Sequence, residues 1–300
     1  REQTPMRRLS ITFLAAVVAP LSWAQDFSAV QITTTELADG IYVMFGAGGN
    51  MGLSVGEDGT FLIDDQFAPL SDKIMAAIGD VTDDDVEFLL NTHWHGDHTG
   101  GNEAFGNAGA IIVAHDNTRV RMTEEQFREI FNQTYPPASA AALPIVTFND
   151  EMSFHWNGDT IRAFHVAPAH TDGDVILHFE NADIFHMGDN FFNGFYPFID
   201  VYSNGDINGI IAAGYQVLAM ANANSQIIPG HGPMATPDDL RDWLQVIRAT
   251  RESVQNLIDR GLSEDEVVAA RPTAEFDEQY GGGFMNPENY NRLLYQSLSR

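Results

Sequence analysis

The segment Asn91-Thr92-His93-Trp94-His95-Gly96-Asp97-His98 places three imidazoles and one carboxylate within six positions. Crowded imidazoles repel one another when protonated, so this cluster calls for a cation rather than for packing partners. It follows directly on the apolar run from Val86 to Asn91, which reads as a buried strand. Alternation at a strand end sends His93 and His95 to the same side, and a turn through Gly96 lets Asp97 and His98 face back toward them. Three further polar residues stand just past apolar strands: His170, Asp189 and His231. In α/β sheets ligands gather at the carboxyl ends of strands, so all of these can converge on one site. Neutral imidazoles and carboxylates are zinc ligands, and they leave open positions for water. The chemistry they suit is metal-assisted hydrolysis. His115, His155, His165, His178 and His186 stand singly and read as packing or surface residues.

The elements that must position these groups alternate short apolar runs with helical patterns. Strands are expected at Ile41 to Phe45 and from Gly52 to Ile63, with the glycine-rich turn 46–50 between them. That turn leads into a strand and not a helix, so it is no phosphate-binding loop. Further strands fall at 110–114, 160–166, 174–179, 184–187 and 226–228, and helices at 70–78, 118–130 and 207–221. Tyr135 to Pro144 reads as a long loop. Thr236-Pro237-Asp238-Asp239 is a helix start, with a cap, a first-turn proline and acids at the positive end of the dipole. That helix should run to about Arg260, stopped by Gly261, and the capping box Ser263 to Glu266 opens another. The expected architecture is one α/β sandwich over 25–235, with a helical extension at 236–300 packed on the same domain.

The 300 residues carry 42 acidic against 15 basic side chains, a formal net charge of −27, and a single lysine, Lys73. No cationic stripe exists for nucleic-acid phosphates, and anionic membrane surfaces are disfavoured for the same reason. Cysteine is absent, which excludes disulfides, thiolate zinc sites and cysteine nucleophiles. At residues 6–24, Arg7 and Arg8 precede an apolar run from Leu9 to Val18 and the small–x–small site Ser22-Trp23-Ala24. That pattern reads as a signal peptide, residues 1–24 being leader plus upstream sequence. The expected mature protein is periplasmic or secreted, begins near Gln25, and has no stable membrane association after processing.

The ordered pattern of a histidine–x–histidine–x–aspartate–histidine stretch, then a histidine, an aspartate and a last histidine, resembles the metallo-β-lactamase superfamily over roughly residues 31–233. The resemblance implies a four-layer αβ/βα sandwich with two Zn2+ ions at one edge. It implies that His93, His95 and His170 hold the first ion, that Asp97, His98 and His231 hold the second, and that Asp189 bridges them. Asp64, in Leu62-Ile63-Asp64-Asp65, matches the aspartate that steadies the ligands from behind. Two zinc ions about 3.5–4 Å apart share a hydroxide at neutral pH, which attacks a carbonyl carbon while zinc stabilises the oxyanion. Asp97 is the expected group for orienting that hydroxide or moving its proton.

Asp189 stands where some β-lactamases of the family carry a cysteine. The ligand set is closer to glyoxalase II and to thioesterase-like members. Cysteine-type β-lactamases also place a lysine shortly after that ligand to grip the substrate carboxylate, whereas Asn190 to Tyr196 contains no cation. The second zinc or an asparagine is left to take that role. Met51, Phe191, Phe192 and Asn193 are expected at the mouth, as an apolar wall for a bicyclic or aromatic small molecule. The first expectation is a β-lactamase of weak or promiscuous activity. The alternatives are a lactone, ester or thioester hydrolase, and a periplasmic accessory or metal-binding protein without turnover.

Overall fold

The computed structural model describes residues 26–300, so the expected leader lies outside the described residues. The strands are β1 (Thr33–Ala38), β2 (Ile41–Phe45), β3 (Met51–Gly56), β4 (Gly59–Ile63), β5 (Val86–Leu90), β6 (Ile111–His115), β7 (Gln126–Arg128), β8 (Gln133–Tyr135), β9 (Val146–Phe148), β10 (Glu151–Trp156), β11 (Asp159–His165), β12 (Val175–Phe179), β13 (Ile184–His186) and β14 (Gln226–Ile228). Seven of them form one sheet in the order β1-β2-β3-β4-β5-β6-β9, and five form a second in the order β10-β11-β12-β13-β14. The helices are α1 (Ser71–Gly79), α2 (Gly96–Thr99), α3 (Asn102–Ala108), α4 (Asp116–Thr123), α5 (Ile207–Met220), α6 (Pro237–Asp259), α7 (Glu264–Ala270), α8 (Asp277–Tyr280) and α9 (Pro287–Leu298).

Two-residue alternation decides which side chain enters which layer. Val43, Phe61 and Ile63 point between the sheets, where they meet Ile161, Val175, Leu177 and Ile228. Their neighbours Met44 and Leu62 point the other way, onto Ile74 and Ile78 of α1 and Phe105 of α3. On the far side, Phe185 and Ile227 pack under α5, α6 and α9 through Ile210, Leu244 and Leu293. The order helix, sheet, sheet, helix is the expected four-layer αβ/βα sandwich. The carboxyl helices complete its outer layer.

Two local expectations change. The helical stretch anticipated at 118–130 ends at Thr123, and the chain instead folds back as the ribbon β7–β8, paired Gln126 to Tyr135 and Arg128 to Gln133. Asn132, with φ +47°, supplies the left-handed turn that closes the ribbon, a conformation Asn tolerates better than most side chains. The loop expected at 135–144 begins as β8 and holds a short helical turn at Ala140–Ala142. The expected caps are present: Thr236 and Asp239 exchange backbone and side-chain hydrogen bonds at 3.2 and 2.8 Å, and Ser263 and Glu266 form a second capping box. No helix among the described residues is long and apolar enough to cross a membrane.

Gly214 of α5 lets α6 approach closely, since a Cβ there would lie 2.7 Å from Leu244 Cδ2. Leu244→Ala is therefore expected to cost about 2–5 kcal/mol through lost burial and an unfilled cavity. Denaturant titration should show a single transition shifted to lower concentration by both near- and far-ultraviolet circular dichroism. Two separate transitions would mean that the carboxyl helices fold apart from the sandwich.

Candidate metal centre

The carboxyl ends of β4, β5, β11, β13 and β14 open onto one edge of the sandwich, and the turns leaving them carry the polar residues. The donor atoms of His93, His95, His170 and Asp189 lie within 4.8 Å of one another, and so do those of Asp97, His98 and His231. Asp189 sits between the two groups. Its Oδ2 lies 3.5 Å from His170 Nε2 and 3.8 Å from His93 Nε2, while its Oδ1 lies 3.1 Å from His98 Nε2 and 3.3 Å from His231 Nε2. Asp97 Oδ2 reaches His231 Nε2 at 3.3 Å.

The outer nitrogen of each of the four buried rings is tied down, which decides where its proton sits. His170 Nδ1 donates to the Phe198 carbonyl at 2.7 Å, and His95 Nε2 to Asp200 Oδ2 at 2.8 Å. His98 Nδ1 donates to Asp64 Oδ2 at 2.7 Å. The Thr92 hydroxyl donates to the same Asp64 oxygen at 2.7 Å and accepts from His93 Nδ1 at 3.0 Å, so one carboxylate orients two rings. Asp64 adopts φ +59°, and its other oxygen accepts from Thr92 N at 2.7 Å. With the outer protons so placed, the inner nitrogens of His93 and His95, the two rings that burial keeps neutral, present lone pairs to the centre. His170 Nε2 and His95 Nδ1 stand 2.9 Å apart. His93 Nε2, His98 Nε2 and Asp189 Oδ1 are buried with no hydrogen-bond partner. Ring nitrogens and carboxylate oxygens converging on one point are what a cation satisfies, and nitrogen with oxygen ligands fit zinc.

Charge in the cluster divides between the two groups. Burial, reinforced by His98, holds His93 well below the ordinary imidazole range, and burial with the Arg128 charge holds His95 at about 3. Burial also opposes the charged forms of His98 and His231, yet Asp189 and Asp97 prevail, lifting His98 well above its usual value and His231 to about 9. Asp189 stays ionised far below the usual carboxylate range because the ring charges of His231 and His98 outweigh its burial.

Backbone approach shapes the rest. A Cβ on Gly49 would lie 2.0 Å from His98 Cε1, and one on Gly230 would lie 2.1 Å from Asp189 Oδ1. Only glycine lets the 46–50 turn and the Pro229-Gly230-His231 turn close over the cluster. The centre forms the floor of a cavity of about 560 Å3, walled by Phe67, Arg128, Phe131, Tyr135, Phe192 and Phe284 among others. Phe192 stacks on His231 with ring centres 5.1 Å apart.

Three expected mouth residues lie elsewhere. Met51 is fully buried in the core beneath α1, because β3 alternation turns it away from the site. Phe191 is fully buried against Trp243, on the opposite side of the chain from Phe192. Asn193 turns its amide onto the Pro233 carbonyl at 3.0 Å, which braces the turn at His231 and keeps it out of the cavity. Among the single histidines, His115 stacks on His165, His178 on Phe185, and His186 bonds the Asn50 carbonyl. Asp200, Arg128, Phe131, Tyr135 and Phe284 carry site geometry without any spacing signal. Asp64→Asn is expected to weaken zinc binding about 10–100-fold, since an amide cannot serve Thr92 N, Thr92 Oγ1 and His98 Nδ1 as acceptor at once. Chelator competition reads this loss, with unchanged circular dichroism as control.

The pattern of the metallo-beta-lactamase superfamily matches residues 45–255. Hydroxyacylglutathione hydrolase of Nitrosococcus oceani is 29% identical over 145 residues, 48% of this chain and 47% of that protein. A lactamase-like protein of Emericella nidulans is 24% identical over 210 residues, 65% of this chain and 59% of that protein. The match thus spans about half the length of these curated relatives. In fold, a metallo-beta-lactamase from Pontibacter korlensis superposes with a TM-score of 0.60 at 18% identity, over 73% of this chain and 99% of that one. The DIM-1 metallo-beta-lactamase gives 0.59 at 14% identity, over 73% and 98%. With the family pattern covering most of its length and the same fold around the clustered ligands, this chain belongs to the metallo-β-lactamase superfamily.

Proposed function

We propose that the protein is a zinc-dependent hydrolase that cleaves a carbonyl compound over two Zn2+ ions. The observation that carries this reading is the carboxylate of Asp189, one oxygen turned to each group of ligands. His93, His95 and His170 would hold one ion, Asp97, His98 and His231 the other, with Asp189 between. Bound there, two zinc ions supply Lewis acidity and a water acidified toward neutral pH.

The chain's own residues do the rest. Asp64, Asp200 and the Phe198 carbonyl keep the rings aimed inward, so no reorganisation is needed when substrate arrives. Asp97 lines the cavity floor beside Asp189 and His231. It is placed to accept a proton there and return it to the leaving group. The aromatic walls exclude water and hold an apolar substrate body.

A β-lactam is the first substrate we propose. A thioester is the second, favoured by aspartate rather than cysteine at position 189 and by the hydroxyacylglutathione hydrolase relative. The leader pattern at residues 6–24 supports export. Amino-terminal sequencing of protein recovered from cells should begin near Gln25, and an intact terminus would refute processing.

Nitrocefin hydrolysis by zinc-loaded protein, with Asp189→Ala beside it, is expected to show zinc-dependent turnover that falls at least about a hundredfold in the variant. Turnover only of a thioester, lactone or ester panel would assign the second reading. Two zinc ions per chain with no turnover of any of these would leave a metal-binding protein in place of an enzyme. Full activity of Asp189→Ala with both ions bound would refute the bridging role.

A further inference from the structure

Arg128 is the only lysine or arginine among the residues lining the cavity. It enters from β7, is 6% exposed, and sits among aromatic faces. Its guanidinium carbon lies 4.3 Å from the Tyr135 ring centre, 4.6 Å from Trp94 and 5.7 Å from Phe198. Its one acidic neighbour, Asp200, stands 3.8 Å from Nε, beyond hydrogen-bond reach. Asp200 Oδ2 is already engaged by His95 at 2.8 Å and by the Ser203 hydroxyl at 2.7 Å. Nε is buried without a partner, and among the described residues the guanidinium makes no hydrogen bond. Aromatic faces hold a cation in place, but they satisfy none of its five donors. A buried cation with unused donors at a cavity wall is completed by an anion arriving from the cavity.

We propose that Arg128 is the anion grip of this site, and that the substrate is an organic carboxylate with an apolar body. The planar guanidinium takes a carboxylate by two parallel N–H···O bonds. The body of the molecule lies along Phe131, Phe195 and Phe284, while its scissile carbonyl reaches the floor at Asp97, Asp189 and His231. Phe131 and Phe284 form one continuous wall, their ring centres 5.1 Å apart. Phe284, 69% exposed, marks the open end through which the apolar body enters. With a net charge of −27 the surface repels anions, so a carboxylate substrate depends on a local cation such as this one. This assignment rests on the hydrolase reading for where the carbonyl goes, but the grip itself can be measured without turnover.

Calorimetric titration of the zinc-loaded full chain with 2-naphthoate and with its neutral amide tests the proposal. The wild type is expected to bind the carboxylate at least about tenfold more tightly than the amide. Arg128→Met, which keeps an unbranched stem between the aromatic rings, should abolish that preference at unchanged zinc content, and Arg128→Lys should retain part of it. A preference that survives in Arg128→Met would overturn the proposal, because the metal then holds the carboxylate. Loss of zinc from Arg128→Met would overturn it too, showing that the residue acts on His95 through Asp200. Absence of any preference in the wild type would do the same. If turnover of every substrate fails while the naphthoate result stands, the hydrolase reading falls and the anion grip remains. Where a substrate is turned over, KM in Arg128→Met should rise at least about tenfold for the free acid relative to its methyl ester.

Discussion

Two ring nitrogens held 2.9 Å apart, on His95 and His170, are the constraint around which this molecule is arranged. The two rings keep this approach because the far side of each is bound to an acceptor. The Phe198 carbonyl and Asp200 hold those two rings, and Asp64 with Thr92 holds His93 and His98. The sandwich supplies the rigidity. Its sheets are packed on both faces, so the strand ends that carry these groups cannot relax away from one another.

The centre was legible in sequence because its meaning is local. A dense histidine cluster after an apolar run, followed by single polar residues after later apolar runs, needs only strand direction to be read. The layers were legible for the same reason, from alternation along β2 and β4. What was not legible depends on which face of a short extended segment a residue occupies. Phe191 and Phe192 are adjacent and alike, yet one packs on Trp243 and the other on His231. Met51 fails by the same parity. Arg128 was hidden more deeply, because 118–130 carries enough helical character to conceal a turn at Thr123. Asp200 is a single acid at the end of an aromatic run, and nothing in its neighbours announces that it holds His95.

The carboxyl helices are part of the site as well as of the core. Tyr196 stacks on Tyr290 of α9 at 4.3 Å, and the Trp243 indole of α6 donates to the Phe195 carbonyl at 2.9 Å. The segment between Asp189 and Asp200, which carries Phe192, Phe195 and Phe198, is thereby clamped from outside. Phe284, between α8 and α9, returns to the cavity mouth. Beyond the family pattern at 45–255, Tyr290 thus adds to the brace of one wall and Phe284 supplies the rim of the opening.

The ribbon β7–β8 pairs only with itself. Two short strands of this kind have little stability of their own and depend on what their side chains touch. Because the clustered histidines and aspartates come from other elements, changes in the ribbon alter the cavity wall more directly than the cluster. Selection can therefore alter which molecules are admitted and leave the chemistry intact. Lineages that share this sandwich are expected to diverge first at the stretch corresponding to residues 124–135, where a change of diet costs the fold least.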